Sequence, residues 1–289
     1  MKKIIIISGP TACGKTKTAV QFCKKHNGEI ISCDSRQVYK YLDIGSNKEG
    51  IFIESGMREI SGIRQYLTDI IEPDLRYSVA DFIRDANVKI ELIIKKGKLP
   101  VIVGGTGLYI KALLYGIDKM PCADDNLRKS LSAKSKIQLY EELLKLDKNA
   151  AQKNKDNPQR LLRALEINML SGKTLEEHYQ PKKALFDFQH FSIKSDLKTL
   201  YSIINERCRF MIENGMIEET KKVLDMGFKK DCPALSAIGY KLIVKFLNNA
   251  ISKEVLIEEI SKDTRHYAKR QNTWFKTQKE AQFINLGAI

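Results

Sequence analysis

The sequence predicts an α/β fold, a parallel sheet flanked by helices with an α-helical insertion, and three observations carry that expectation. A continuous β-branched run, Ile4 to Ile7, ends at Ser8-Gly9-Pro10 and gives way to a helical pattern. Two more short apolar runs, Ile30 to Cys33 and Pro100 to Val103, stop abruptly at Asp34-Ser35 and at Gly104-Gly105. From about Asp118 such runs disappear and polar helical segments take over. Uninterrupted apolar runs of this length read as strands buried on both faces, and buried strands alternating with helices assemble into a parallel sheet covered on each side.

Taken in order, the run Ile4 to Ile7 is the first strand. Ala19, Val20, Phe22 and Cys23 then mark the buried face of the helix that begins near Lys15. Ile30 to Cys33 is the second strand. Pro100 to Val103 is a third, breaking into Gly104-Gly105-Thr106-Gly107 before a helical stretch from Leu108 to Leu114. Lysines crowd the stretch from Lys129 to Lys183, where Asn157-Pro158 is a capped helix start and Ser171-Gly172 a helix stop. Residues 118–190 are therefore expected to form the helical insertion, and 1–117 with 191–289 the core. Phe191-Ser192-Ile193 reads as a return strand, and the remainder to Thr277 as mostly helical.

Composition narrows the function classes. The 289 residues are 43% hydrophobic and 29% charged, ordinary for a globular chain. The balance of 49 Lys+Arg against 35 Asp+Glu gives a net charge of +14, which favours an anionic partner without choosing one. Six scattered cysteines contain no C-x-x-C pair, so neither a zinc site nor a disulfide framework is expected. The apolar stretch after Met1-Lys2-Lys3 is too short for a signal peptide, and no run approaches a membrane span. A monomeric, cytoplasmic protein is expected.

Gly9-Pro10-Thr11-Ala12-Cys13-Gly14-Lys15-Thr16 fits G-x-x-x-x-G-K-[ST] between a strand and a helix, the setting of a P-loop. Glycines let successive backbone N–H groups curl around an anion, and the helix adds its positive N-terminal end. Lys15 supplies a mobile charge for the phosphate oxygens and Thr16 a hydroxyl for Mg²⁺. The fold expectation sharpens accordingly to a P-loop NTPase-like sheet. A nucleotide hydrolase would carry a metal-binding Asp at another strand end, yet Val101 to Val103 runs into glycines. The Asp that does follow a strand is Asp34, in Cys33-Asp34-Ser35-Arg36-Gln37. Parallel strands share one carboxyl edge, so Asp34 is expected near Lys15 and Thr16, as a base, a metal partner through water, or a turn cap.

Two segments mix features suited to RNA. Gln159, Arg160 and Arg163 share a helix face, with Leu161, Leu162, Leu165 and Met169 free to pack elsewhere. Arg265, His266, Tyr267, Lys269, Arg270, Gln271, Trp274 and Phe275 interleave cations with rings that can stack on unpaired bases. Each alone also fits a solvated helix face, and Trp274 a core anchor.

With these motifs in order, the chain closely resembles the tRNA dimethylallyltransferases, also called isopentenyl transferases, over nearly its whole length. Besides the P-loop, the likeness rests on Asp34-Ser35-Arg36-Gln37-Val38-Tyr39, Leu42-Asp43-Ile44-Gly45 and Val103-Gly104-Gly105-Thr106-Gly107-Leu108-Tyr109. It continues in Asn157-Pro158-Gln159-Arg160, Arg163-Ala164-Leu165-Glu166, Ile238-Gly239-Tyr240-Lys241, Thr264-Arg265, Ala268-Lys269-Arg270-Gln271 and Thr273-Trp274. The resemblance implies that residues Gly9 to Thr16 bind the diphosphate of dimethylallyl diphosphate. It implies an acceptor amine on the adenine 3′ of the tRNA anticodon, in a base flipped out of its loop. Asp34 would be the general base, and Lys15, Thr16 with Mg²⁺ and Arg207 would stabilise the leaving diphosphate. Asp34, Ser35, Arg36, Gln37, Thr106, Arg128, Gln159, Arg160, Leu161, Leu162, Arg163, Arg265, Lys269 and Arg270 would contact the anticodon stem-loop.

Departures from the family pattern are Cys13 for Ser, Tyr41 for Gly, Ser46 for Thr, and Ser236 for Gln or Arg. Ile63-Arg64-Gln65-Tyr66-Leu67 replaces a Pro- and His-rich segment. The eukaryotic zinc-finger extension is not found, which favours the bacterial type. Three rivals remain at this level: an adenylate isopentenyltransferase acting on free nucleotide, a small-molecule kinase, and an RNA-binding protein with a decayed site.

Overall fold

A computed structural model describes residues 1–180 and 182–289. The chain divides into two compact units, Met1–Leu114 with Ala184–Ile289, and Tyr115–Lys183. The first stretch holds β1 (Lys3–Ser8), α1 (Lys15–His26), β2 (Gly28–Ser32), β3 (Ile51–Glu54), β4 (Met57–Ile60), β5 (Ile63–Tyr66), α2 (Val79–Lys95), β6 (Leu99–Gly104) and α3 (Gly107–Tyr115). The inserted unit holds α4 (Asp125–Ser132), α5 (Lys136–Leu146), α6 (Lys148–Asn154), α7 (Pro158–Ser171) and α8 (Leu175–His178). The return stretch holds β7 (Asp187–Ile193), α9 (Leu197–Glu213), α10 (Met216–Asp225), a 3₁₀ turn at Ala234–Ser236, α11 (Tyr240–Leu247), α12 (Lys253–Lys276) and β8 (Ala281–Ile284).

One sheet runs β3-β4-β5-β2-β6-β1-β7-β8. From β5 to β8 its pairs are parallel, with Ile7 opposite Val103 and Ser32 also opposite Val103. Ile5, Ile7, Val101 and Val103 belong to one apolar cluster with Val20 and Phe22 of α1 and Ile204 of α9. Ile4, Ile6 and Ile102 alternate with them and are 0% exposed, so both faces of the central strands are covered. This is why Ile4 to Ile7 is apolar without interruption.

The strands at either edge went unread in the sequence. β3, β4 and β5 are four residues each, joined antiparallel, with turns at Ser55-Gly56 and Ser61-Gly62. Their buried polar residues hide the pattern. Arg58 bonds Asp69 and Asp43, and the fully buried Lys48 ammonium bonds the same two carboxylates. The departing segment Ile63 to Leu67 is β5 itself, pairing with β2, and its Tyr66 hydroxyl donates to Glu29 Oε2 at 2.7 Å. β7 begins at Asp187, four residues before the expected Phe191, and the inserted unit closes at Lys183; the expected boundary at 190 came too late because polar residues open that strand.

The inserted unit has its own core of Leu131, Leu139, Leu143, Ala150, Ala151, Leu161, Ala164 and Leu165. Asn157 Oδ1 accepts from the Arg160 N–H at 3.1 Å, Pro158 opens α7, and Gly172 closes it at φ 69°. Met169, expected to pack, is 46% exposed.

Within the sheet, His190 of β7 is buried, its Nε2 2.8 Å from the Ser8 hydroxyl, one residue before the P-loop motif. Burial pushes the imidazole down to about 4, so it is neutral in the folded chain. A folded value below the ordinary one means that stability present above that ordinary value is lost as pH falls toward the folded one. The loss should approach about 3 kcal/mol by pH ~4. Denaturant unfolding at pH 7 and near pH 4.5 should show His190→Gln flattening the acid slope by that order. Identical slopes in the two proteins would mean the imidazole takes up a proton as readily folded as unfolded.

Candidate active site

The loop between β1 and α1 has left-handed backbone at Ala12, φ 66°, and at Gly14, φ 82°. At Gly14 a side chain would both strain the backbone and come within 2.6 Å of Leu286 Cδ1. The N–H groups of Gly14, Lys15 and Thr16 open α1 and have no protein acceptor among the described residues, as the first turn of a helix requires. Lys15 Nζ folds back to donate to the Pro10 carbonyl at 2.6 Å.

The loop is tied down from two helices. Gln271 of α12 is buried; its Oε1 accepts from the Thr11 N–H at 2.8 Å and its Nε2 donates to the Gly105 carbonyl at 2.9 Å. Arg207 of α9 donates to the Thr11 hydroxyl at 2.6 Å. Burial holds its guanidinium below the ordinary value, but arginine remains a cation there. Thr11 thus anchors the loop through its backbone N–H and its hydroxyl. On the neighbouring strand end, Gly107 lies so close to Trp274 that a Cβ would overlap the indole. Gln271 braces the loop, and Trp274 packs against Gly107, in keeping with the core-anchor alternative of its reading.

Asp34 follows β2. Its Oδ1 accepts from the N–H of Arg36 at 2.7 Å and of Gln37 at 3.4 Å, the turn-cap geometry, while Oδ2 has no partner among the described residues. Thr106 closes over it, its hydroxyl accepting from the Ser35 N–H at 3.4 Å. Asp34, Thr11 and Arg207 line one cavity of about 330 Å³. Its polar lining adds Ser35, Arg36 and Arg270, and its apolar lining includes Cys208, Met211, Met216, Ile238 and Ile260. The carboxylate therefore does sit at the sheet edge that carries the loop.

Metal ligation is sparse. No three His, Cys, Asp or Glu residues converge among the described residues. Mg²⁺ rarely uses an all-protein cage, keeping waters and taking substrate phosphate oxygens, so one hydroxyl at Thr16 fits its needs.

The chain is similar to known proteins over nearly its whole length. Residues 37–278 match the family described as IPP transferase, and residues 2–69 match isopentenyl transferase. A tRNA dimethylallyltransferase of Endomicrobium trichonymphae is 64% identical over 97% of the chain and 94% of its own length. The one from Clostridioides difficile strain 630 is 42% identical over 99% and 93%.

The chain belongs to the IPP transferase family.

Among solved structures, the full-length tRNA isopentenylpyrophosphate transferase of Bacillus halodurans is 36% identical, covering 99% of the chain and 90% of its own, at a TM-score of 0.71. A eukaryotic dimethylallyltransferase acting on tRNA is 26% identical, covering 99% and 74%, at 0.81.

Seen as an IPP transferase, several residues expected to touch RNA are committed elsewhere. Leu161 is 0% exposed in the insertion's core and offers no surface, and Leu162 packs against that core. Arg163 and Arg128 both pair with Glu166, whose carboxylate is 0% exposed; Arg163 also donates to the Pro121 carbonyl at 2.8 Å. Burial raises the Glu166 carboxyl, and the two arginines more than reverse it, holding it below the ordinary range. Gln37 accepts from the Ser32 hydroxyl and donates to the Ser46 and Asn47 carbonyls. Arg36 braces the 3₁₀ turn through the Ser236 hydroxyl at 3.1 Å, which explains how Ser236 reaches the cavity wall. Arg265 donates to Asn205. Gln159, Arg160, Lys269 and Arg270 are exposed. Tyr267 and Thr264 line the cavity and Glu219 lies behind its wall; only Tyr267 was singled out for function in the sequence.

Gln271→Ala removes the bond that ties the loop to α12 at Thr11 and the bond that ties the Gly105 carbonyl to the same helix. Pyrophosphate affinity should fall about tenfold and stability by about 1–3 kcal/mol. Titration calorimetry that finds pyrophosphate binding unchanged would remove Gln271 from the loop's support.

Proposed function

We propose that the chain transfers the dimethylallyl group of dimethylallyl diphosphate to the N6 amine of the adenosine 3′-adjacent to the tRNA anticodon, position 37, releasing diphosphate. The observation that carries this is the meeting of the P-loop's Thr11, the Arg207 cation and the Asp34 carboxylate on one cavity that apolar side chains also line. A diphosphate leaving group needs N–H donors and cations; an exocyclic amine needs an acceptor; a five-carbon prenyl group needs apolar wall. Arg207 supplies a cation, Asp34 the acceptor, and Met211, Met216, Ile238 and Ile260 apolar surface in the cavity, while the N–H donors belong to the loop that Thr11 carries to its wall.

In this mechanism the N–H groups of Gly14, Lys15 and Thr16 grip the diphosphate, with the remaining loop residues from Gly9 to Cys13 shaping the turn. Lys15 leaves the Pro10 carbonyl for a phosphate oxygen. Thr16 would hold Mg²⁺ beside the phosphates, and the ion would neutralise charge on the departing group. The amine nitrogen attacks the allylic carbon, the carbon–oxygen bond breaks toward diphosphate, and Asp34 takes the amine proton. Two backbone N–H groups fix Asp34 Oδ1, so the carboxylate is oriented before the base arrives. The β6 end offers glycines where a nucleotide hydrolase needs a metal-binding carboxylate, which weighs against a kinase.

Purified chain given labelled dimethylallyl diphosphate with tRNA, AMP, or an acceptor plus ATP should label tRNA alone. Label in AMP but never in tRNA would favour a free-nucleotide enzyme. Asp34→Asn should lower kcat by about 10²–10⁴ and leave donor affinity nearly unchanged. Collapse of donor affinity instead would make Asp34 a metal or framework residue.

Gln159→Ala with Arg160→Ala should reduce the salt slope of tRNA binding by about 0.7, one phosphate contact, without loss of stability. An unchanged slope would leave that helix face merely solvated. Arg163 is avoided in this test because its removal breaks one of the two ion pairs of the buried Glu166.

A further inference from the structure

One wall of the cavity is fastened by a carboxylate that the transfer reaction does not use. Glu219 of α10 accepts the N–H groups of Asp43 and Ile44 on Oε2, both at 2.8 Å. Its Oε1 accepts the Gly45 N–H at 2.7 Å and the Tyr240 hydroxyl at 2.9 Å. Successive N–H groups facing one anion form a nest of the kind that binds phosphate, here filled from inside the chain. Tyr240 is 1% exposed and lies so close to Gly45 that a Cβ would overlap its hydroxyl. From the other side Gln37 Nε2 holds the Ser46 and Asn47 carbonyls. Gly45, Ser46, Asn47 and Met216 line the cavity with Asp34.

Glu219 lies beside the buried stripe of Met216, Thr220 and Val223, where an apolar residue would pack at lower cost. Burial pushes its carboxyl up, and the surrounding N–H and phenol donors only partly oppose this. The buried carboxyl group is kept despite that cost, and its four accepted bonds set the shape of a loop.

We propose that Glu219 is a positioning residue, fixing the Asp43–Gly45 backbone and through it the wall of Gly45, Ser46 and Asn47 that holds the acceptor base against Asp34. The identity of that guest rests on the transfer reading above; the clamp itself does not.

The test uses the full chain as wild type, Glu219→Gln and Glu219→Ala. Glu219→Gln keeps the shape but turns an amide NH₂ toward part of the nest, and it guards against a Glu219→Ala that does not fold. Transfer to tRNA, pyrophosphate affinity, and amide hydrogen exchange at Asp43, Ile44 and Gly45 are measured together. Turnover should fall about tenfold in Glu219→Gln and about a hundredfold in Glu219→Ala, pyrophosphate affinity staying within about twofold. Exchange at the three amides should quicken while the amides of α1 stay as they were. Unchanged exchange overturns the clamp. Faster exchange with undiminished turnover, or turnover and pyrophosphate affinity falling in step, overturns the positioning role. Wild-type chain that moves no prenyl group to tRNA refutes the transfer reading, while the exchange data still decide the clamp.

Discussion

Parallel pairing of β2, β6 and β1 is the constraint from which the site follows. Strands running the same way deliver their carboxyl ends to one edge, so the residues after each strand meet although they are far apart in sequence. Ser8 leads into the P-loop, Ser32 into Asp34, and Gly104 into Thr106, with β6 lying between the other two. Reversing any one strand would send its loop to the opposite edge. The apolar faces of Ile4 to Ile7 and Val101 to Val103 hold this arrangement, which makes the most deeply buried residues the indirect authors of the chemistry.

Edge placement brings loops near each other; polar side chains then fix their distances. Gln271 joins the P-loop to the β6 end, Gln37 joins the Asp34 turn to the Ser46 carbonyl, and Glu219 joins the Asp43–Gly45 loop to α10. Each uses a side chain with matched donors and acceptors on backbone groups, so the loops keep their shape without regular structure. A reaction that generates charge on an allylic carbon gains from such a frame, because the donors are aimed before the charge appears.

The sequence was legible where local physics acts alone. Short β-branched runs declared the central strands, G-x-x-x-x-G-K-T declared the loop, and Asn157-Pro158 with Ser171-Gly172 declared α7. It was less legible where a polar side chain works inside the protein. Gln271, Arg163 and Gln37 have the composition of a nucleic-acid surface, yet their partners are a carbonyl, a buried carboxylate and a loop. Nothing along the chain distinguishes a glutamine turned inward from one turned outward. Glu219 left one faint signal, a carboxylate beside the stripe of Met216, Thr220 and Val223 that the fold buries, which reads as a solvated face until its partners are known. The edge strands β3 to β5 escaped because four residues are too few to show a period, and because Arg58 and Gln65 are buried there.

The central claim is that one cavity brings the diphosphate cradle and Asp34 to bear on the same reacting pair. A crystal structure of the chain with a non-reactive thio-analogue of dimethylallyl diphosphate and an anticodon stem-loop addresses it directly. The account requires the phosphates on the N–H groups of Gly14 to Thr16 and an adenine amine within hydrogen-bond reach of Asp34. Phosphates seated away from that loop, or an adenine whose amine faces any other group, would contradict it.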